Sequence, residues 1–65
     1  MRNALLDVRT LLEDSPAPLS VTQMVERLDG EHERAAVEHL LEHFRHEGLV
    51  RRNGDGQWDW SAKPA

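Results

Sequence analysis

The fold is decided by residues 36–60, which read AVEHLLEHFRHEGLVRRNGDGQWDW. Apolar side chains recur in this stretch at the spacing of one helical face, at Val37, Leu40, Leu41 and Phe44. Gly48 follows the last of them, in the place where a glycine ends a helix in the left-handed conformation. The pattern predicts one long helix that is under way by Ala35 and runs to Glu47.

A β-hairpin is predicted directly after this helix. Residues 49–52, LVRR, and residues 57–60, QWDW, flank the sequence NGDG, which is a strong turn signal between two short strands. Trp58 and Trp60 lie two residues apart and therefore share one face of the second strand. We expect this face to close over the first and third helices, because two exposed tryptophans would leave a large apolar patch. The alternative is that the two rings stack on nucleic-acid bases.

Two shorter helices are predicted upstream. Asn3 suits the N-cap of the first helix, which is expected to extend to about Glu13. It cannot continue through residues 14–18, DSPAP, because proline lacks the backbone donor and restricts the residue before it. The predicted apolar stripe of this helix consists of Leu5, Leu6, Val8, Leu11 and Leu12.

Two independent signals mark the start of the second helix. Ser20 and Gln23 have the spacing of a capping box, and Leu19 and Met24 occupy the two positions of a hydrophobic staple. An Asp-Gly pair ends this helix, and residues 31–34 either complete the turn or form the first turn of the third helix. The buried face is expected to comprise Val21, Met24, Val25 and Leu28.

These elements predict a mainly α protein with a small antiparallel β-hairpin, in the order of a three-helix winged helix-turn-helix. The winged-helix domain is expected to cover residues 1–60, and residues 61–65 are expected to form a disordered tail. Pro18-Leu19 is a candidate for a short extra strand that pairs with the hairpin.

Composition limits the functions that this chain can have. Its 65 residues contain no cysteine, which excludes disulfides and thiolate metal sites. No apolar run approaches the roughly 20 residues of a membrane span, and the amino terminus lacks the core of a signal peptide. We therefore expect a cytoplasmic protein without a membrane partner. A nucleophile elbow, a phosphate-binding glycine loop and an activated cysteine are also missing, so we expect neither an enzyme nor a cofactor.

Residues 19–60 resemble the winged-helix domains of bacterial regulators, in particular the DNA-binding half of the ferric uptake regulator family. The shared features are the capped second helix, Ala36-Val37, Leu40-Leu41, Phe44, Gly48-Leu49-Val50 and the wing. Such positions determine the fold and recur across winged-helix families. The resemblance therefore implies a winged helix and, by analogy, a DNA-binding role.

The sequence departs from that family where the family contacts DNA. Glu38 and His39 stand in the places of a tyrosine and an arginine that reach DNA, so base reading by the family's pair of side chains is not expected. The family also has a C-terminal dimerisation domain with metal ligands, whereas this sequence ends soon after the wing. Metal sensing by the family's mechanism is therefore not expected.

Four residues are candidates for DNA contact: Arg34, His39, Arg51 and Arg52. Arg34 lies near the start of the third helix, where a recognition helix meets the groove. Arg51 and Arg52 stand at the base of the wing, and strand alternation sends their side chains to opposite faces. The alternative is that all four belong to an ordinary solvated surface.

The net charge of −4 opposes DNA binding, because affinity for DNA comes largely from Lys and Arg that neutralise phosphates. Our first functional prediction is still a DNA-binding, transcription-regulating module. It is expected to act as a homodimer, since one acidic unit offers few phosphate contacts. The second prediction is a protein-interaction module whose acidic, histidine-rich third helix meets a basic partner surface.

Histidines are a further feature of the third helix. His39, His43 and His46 lie within about 60° of one another on a helical wheel, and His32 joins them if the helix begins early enough. Histidines separated by three or four residues on a helix can share one metal ion, which makes these three side chains metal candidates. The alternative is a solvated polar face.

Overall fold

The structure is a computed structural model that describes residues 3–62. Its elements, in chain order, are α1 (Ala4–Asp14), α2 (Val21–Arg27), α3 (Arg34–His46), β1 (Val50–Arg52) and β2 (Trp58–Trp60). The strands are antiparallel, with Val50 opposite Trp60. The predicted fold class is confirmed: three helices and a two-stranded hairpin adopt a winged-helix arrangement. Within residues 3–62, no helix has the length and apolar character needed to cross a membrane.

Helix α1 begins as predicted but buries less of its apolar surface. The side chain of Asn3 accepts a hydrogen bond from the Leu6 backbone N–H at 3.2 Å. Val8 and Leu12 are buried, whereas Leu5 and Leu6 are 39% and 54% exposed. The prediction that these two leucines belong to the buried stripe is wrong. At 100° per residue, Leu6 lies about 160° from Val8 around the helix axis. Helix α1 therefore cannot direct Leu6 and Val8 toward the same core.

The start of α2 confirms the capping box, and both residues of the predicted staple are core residues. The Ser20 hydroxyl accepts from the Gln23 N–H at 3.1 Å, and the Gln23 side chain accepts from the Ser20 N–H at 2.9 Å. Leu19 and Met24 are both buried in the core. These local bonds fix where α2 begins and therefore where its first turn points.

Helix α3 is the longest element. It begins at Arg34, so the segment before it is a loop and His32 does not lie on the helix. At the other end, the Leu49 N–H donates to the Phe44 carbonyl at 2.9 Å, and Gly48 has φ of +79°. This is a Schellman arrangement, and it ends α3 one residue earlier than the sequence predicted.

The turn of the hairpin is held by backbone hydrogen bonds between Asn53 and Gln57 and between Gly56 and Asn53, and by the Asn53 side chain. Asn53 Oδ1 accepts from the backbone N–H groups of Asp55 and Gln57, each at 2.9 Å. Both strands are one residue shorter than predicted. Pairing continues past β2, because the Ser61 N–H donates to the Leu49 carbonyl at 2.8 Å. Residues 63–65 of the predicted tail lie outside the described residues.

The hairpin closes the core from one side. Leu19 exchanges two backbone hydrogen bonds with Trp58, at 2.9 and 2.7 Å, so the extra strand predicted near Pro18-Leu19 is a single antiparallel bridge. Trp58 and Trp60 are only 5% and 4% exposed, and the Trp60 ring meets that of Phe44 edge-on at 5.6 Å. The prediction that both tryptophans are core residues is confirmed.

Candidate functional site

A cleft of about 280 Å³ lies between the outer face of α3 and the hairpin. The first turn of α2 forms one end of it through Thr22. Helix α3 contributes Arg34, Glu38 and Glu42, which are spaced four residues apart and therefore lie along one helical face. The hairpin closes the other side with Arg52. The cleft is thus lined by charged groups of both signs.

Arg34, a predicted DNA contact, does line the cleft, but its guanidinium already has two partners. Its Nε lies 3.1 Å from Glu38 Oε1, and another of its nitrogens donates to the Thr22 hydroxyl at 2.9 Å. These contacts join the start of α2 to the start of α3. They use two of the five N–H donors of the guanidinium, and the Glu38 carboxylate offsets its charge toward an anionic ligand.

Arg52, the second predicted DNA contact in the cleft, is held against the hairpin by an aromatic ring. Its guanidinium carbon lies 5.7 Å from the centre of the Trp58 ring, within the range of a cation–π contact. No acidic group lies within 4 Å of Arg51 or Arg52 among residues 3–62. The charge of Arg52 is therefore available to a ligand in the cleft.

Glu42, on α3, gives the cleft a negative charge, as Arg52 on the hairpin gives it a positive one. Its side chain is 64% exposed, and its nearest cation among the described residues is Arg45, at 4.0 Å, the outer limit of an ion pair. Since Glu38 pairs with Arg34 at 3.1 Å, the cleft presents one carboxylate and one guanidinium that have no ionic partner closer than 4.0 Å among residues 3–62.

The other two predicted DNA residues lie elsewhere. Arg51 stands opposite Asp59 across the hairpin and lines a second depression together with Pro18 and Arg52. Arg51 does not line the cleft, whereas Arg52 lines both the cleft and this depression, so strand alternation does not fully separate the two arginines. His39 is exposed on α3 but is not among the residues that line the cleft. The structure therefore brings Arg34 and Arg52 together and leaves Arg51 and His39 outside.

The metal candidates are all exposed on α3 without forming a ligand cluster. His43 lies 3.4 Å from Glu47, while His39 and His46 have no close polar partner in residues 3–62. Within that range, no group of three or more His, Asp or Glu side chains is placed to hold a metal ion. His32 is separate from this stripe, because its ring contacts α1 through Asp7 at 2.8 Å.

Sequence reasoning missed how the cleft is assembled. The spacing of Arg34 and Glu38 is itself a signal for a helical ion pair. The role of Thr22 carries no such signal, because it depends on how α2 and α3 are packed.

Comparison of this chain with protein-family models and with curated proteins finds no match.

Proposed function

We propose that this chain is a non-enzymatic winged-helix module of the cytoplasm that binds a protein partner in the cleft between α3 and the hairpin. The partner is a segment with neighbouring charges of opposite sign. A cationic side chain pairs with Glu42, and a carboxylate pairs with Arg52. The proposal keeps the protein-interaction role that was the second prediction from the sequence, but it replaces the basic partner surface of that prediction with a segment of mixed charge.

A single observation carries this proposal: the cleft holds carboxylates and guanidiniums in equal number. Glu38 and Glu42 line the same surface as Arg34 and Arg52. A polyanion that entered this cleft would meet both carboxylates at close range. A protein segment can instead match each sign in turn, since complementary charges fix register and exclude wrong partners.

The contribution of phosphate neutralisation to DNA affinity also favours a protein partner over DNA. Duplex DNA carries one negative charge per roughly 1.7 Å of helix axis, and non-specific affinity comes almost entirely from cations that neutralise those charges. Here Arg34 is already neutralised by Glu38, and the chain as a whole carries −4. Few neutralising contacts remain, so DNA affinity at physiological salt is expected to be very weak.

The test is selection from a displayed library of random peptides on the intact protein at physiological salt. We expect the selected peptides to contain adjacent acidic and basic residues. Their affinity should fall at least about tenfold for the double variant Glu42→Gln, Arg52→Gln. The matched control is Glu26→Gln, Arg27→Gln, which removes the same two charges from exposed positions on α2. Equal weakening by both double variants would contradict the proposal.

The second candidate function is DNA binding, as a homodimeric transcription regulator. One observation favours it: Arg51 and Arg52 are exposed at the wing and have no ionic partner within residues 3–62. With Arg34 and His39, they form the set of DNA contacts predicted from the sequence. Two copies would double the number of phosphate contacts.

A titration against mixed-sequence duplex DNA at two salt concentrations separates the two functions. If the wing contacts phosphates, binding weakens steeply as salt rises and is lost in the variant Arg51→Ala, Arg52→Ala. Our first proposal expects no binding at either salt concentration. Salt-sensitive binding that depends on these two arginines would replace it with the regulator function.

A further inference from the structure

A second groove runs along α1, on a part of the surface that the first cleft does not share. It is lined by Leu6, Thr10, Leu11 and the two aspartates of α1, Asp7 and Asp14, with Leu28 from the end of α2 on its other side. Leu6 is 54% exposed and is the most exposed large apolar side chain in residues 3–62. Leu6, Leu11 and Leu28 thus give the groove an apolar lining beside the two aspartates.

We propose that this groove docks an amphipathic helix of a partner protein, with an apolar stripe and basic residues at both ends of the contact. The lining residues of α1 extend from Leu6 to Asp14, a span of about 12 Å along the helix axis. This length matches about two turns of a docked helix. The proposal is independent of the one for the cleft between α3 and the hairpin.

Charge complementarity identifies the partner as basic. Asp14 is exposed at one end of the groove and makes no ion pair with another residue in the described range. Asp7 lies about two turns away, held by His32 at 2.8 Å. A partner helix with Lys or Arg at positions i and i+7, and apolar residues at i+3 and i+4, places its cations near these carboxylates and its apolar stripe against Leu6 and Leu11.

A second copy of this chain fits the groove poorly. Two copies each carry −4, so their approach is repulsive before any contact forms. A symmetric contact between two α1 helices would also bring the Asp7 and Asp14 carboxylates of both copies to one interface. The same charges attract a basic helix.

The test uses a synthetic 15-residue peptide with Leu at the apolar positions and Lys at the two flanking positions. Its affinity for the full chain is measured at physiological salt by fluorescence anisotropy. A peptide of the same composition in scrambled order is the peptide control. We expect Leu6→Ser to weaken binding at least about tenfold and Asp14→Asn to weaken it about threefold. Chemical-shift changes should be confined to α1 and the end of α2.

Two matched variants show whether the groove itself is responsible. Leu5→Ser removes an exposed leucine of α1 that does not line the groove, and Glu42→Gln removes a carboxylate from the other cleft. Both should bind the peptide as the wild type does. The proposal is overturned if the scrambled peptide binds equally well, or if the two controls weaken binding as much as the groove variants. It is also overturned if the chain dimerises without peptide and Leu6→Ser abolishes that dimer.

Discussion

His32 Nε2 lies 2.8 Å from Asp7 Oδ2, although the two residues are 25 positions apart in the sequence. Both side chains are largely buried, with 9% and 19% of their surface exposed. The contact ties α1 to the loop that precedes α3. Neither residue lines the cleft between α3 and the hairpin.

We expect the Asp7–His32 pair to contribute measurably to stability. Alanine at either position removes the hydrogen bond between these two largely buried side chains, which costs about 1–3 kcal/mol. In a double-mutant cycle, chemical denaturation should give a coupling energy of about 1 kcal/mol or more between the two residues. The matched control is the cycle on Arg9 and Glu13, an exposed pair on α1 whose coupling should stay below about 0.5 kcal/mol. Equal couplings would mean that burial does not strengthen the contact.

The end of α3 provides a second prediction. Gly48 has φ of +79° and nothing lies within 4 Å of where a Cβ would sit, so backbone strain alone opposes a side chain there. Gly48→Ala should lower the free energy of unfolding by about 1–2 kcal/mol. Gly54→Ala is the control, because that glycine has equal space and no positive φ. If thermal unfolding shows the same loss for both, the cost does not come from the left-handed conformation.

Elements whose cause is local could be predicted from the sequence. The capping box of Ser20 and Gln23 spans four residues, and the turn at Asn53 is stabilised within five. Each signal is complete within its own stretch of chain, so tertiary packing is not needed to interpret it. This is why the order of elements and most of their bounds follow from the pattern.

Features that depend on packing between elements could not be predicted in the same way. Leu6 looks like a core residue in the sequence, yet its burial depends on which side of α1 the other elements cover. The contact between His32 and Asp7 has no local signal. The cleft illustrates both cases: the Arg34–Glu38 pair follows from helical spacing, whereas Arg52 enters the cleft only because the hairpin folds beside α3.

Leu41 and Leu6 differ in burial, so we expect their substitution by alanine to have different effects on the free energy of unfolding. Leu41 is fully buried, so Leu41→Ala removes packed methyl groups and leaves a cavity, at a cost of about 2–5 kcal/mol. In a domain this small, that loss is expected to unfold most of the protein. Leu6→Ala should change the free energy of unfolding by no more than about 0.5 kcal/mol, because its side chain is already half exposed. Circular dichroism during urea titration measures both. A large loss for Leu6→Ala would mean that the groove along α1 is covered in solution.

Tryptophan fluorescence tests the core role of the hairpin. Trp58 and Trp60 are buried; Arg52 lies over the Trp58 ring at 5.7 Å, and Arg9 lies over the Trp60 ring at 5.4 Å. Emission from the folded protein should be blue-shifted and poorly quenched by acrylamide, and both properties should be lost on unfolding. Single-stranded DNA should leave the emission unchanged, because neither ring is free to stack on a base. Strong quenching of the folded protein would place at least one ring at the surface.

The carboxylates of Glu38 and Glu42 separate the two candidate functions, because they are expected to repel DNA from the cleft. The double variant Glu38→Gln, Glu42→Gln changes the net charge from −4 to −2 and releases Arg34 from its ionic partner at 3.1 Å. If repulsion from the cleft is what prevents DNA binding, duplex affinity at low salt should rise at least about tenfold and become steeply salt-dependent. Glu13→Gln, Glu47→Gln removes the same charge outside the cleft and should have a much smaller effect. An equal rise for both double variants would mean that net charge alone governs DNA affinity, and that the geometry of the cleft has no part in excluding DNA.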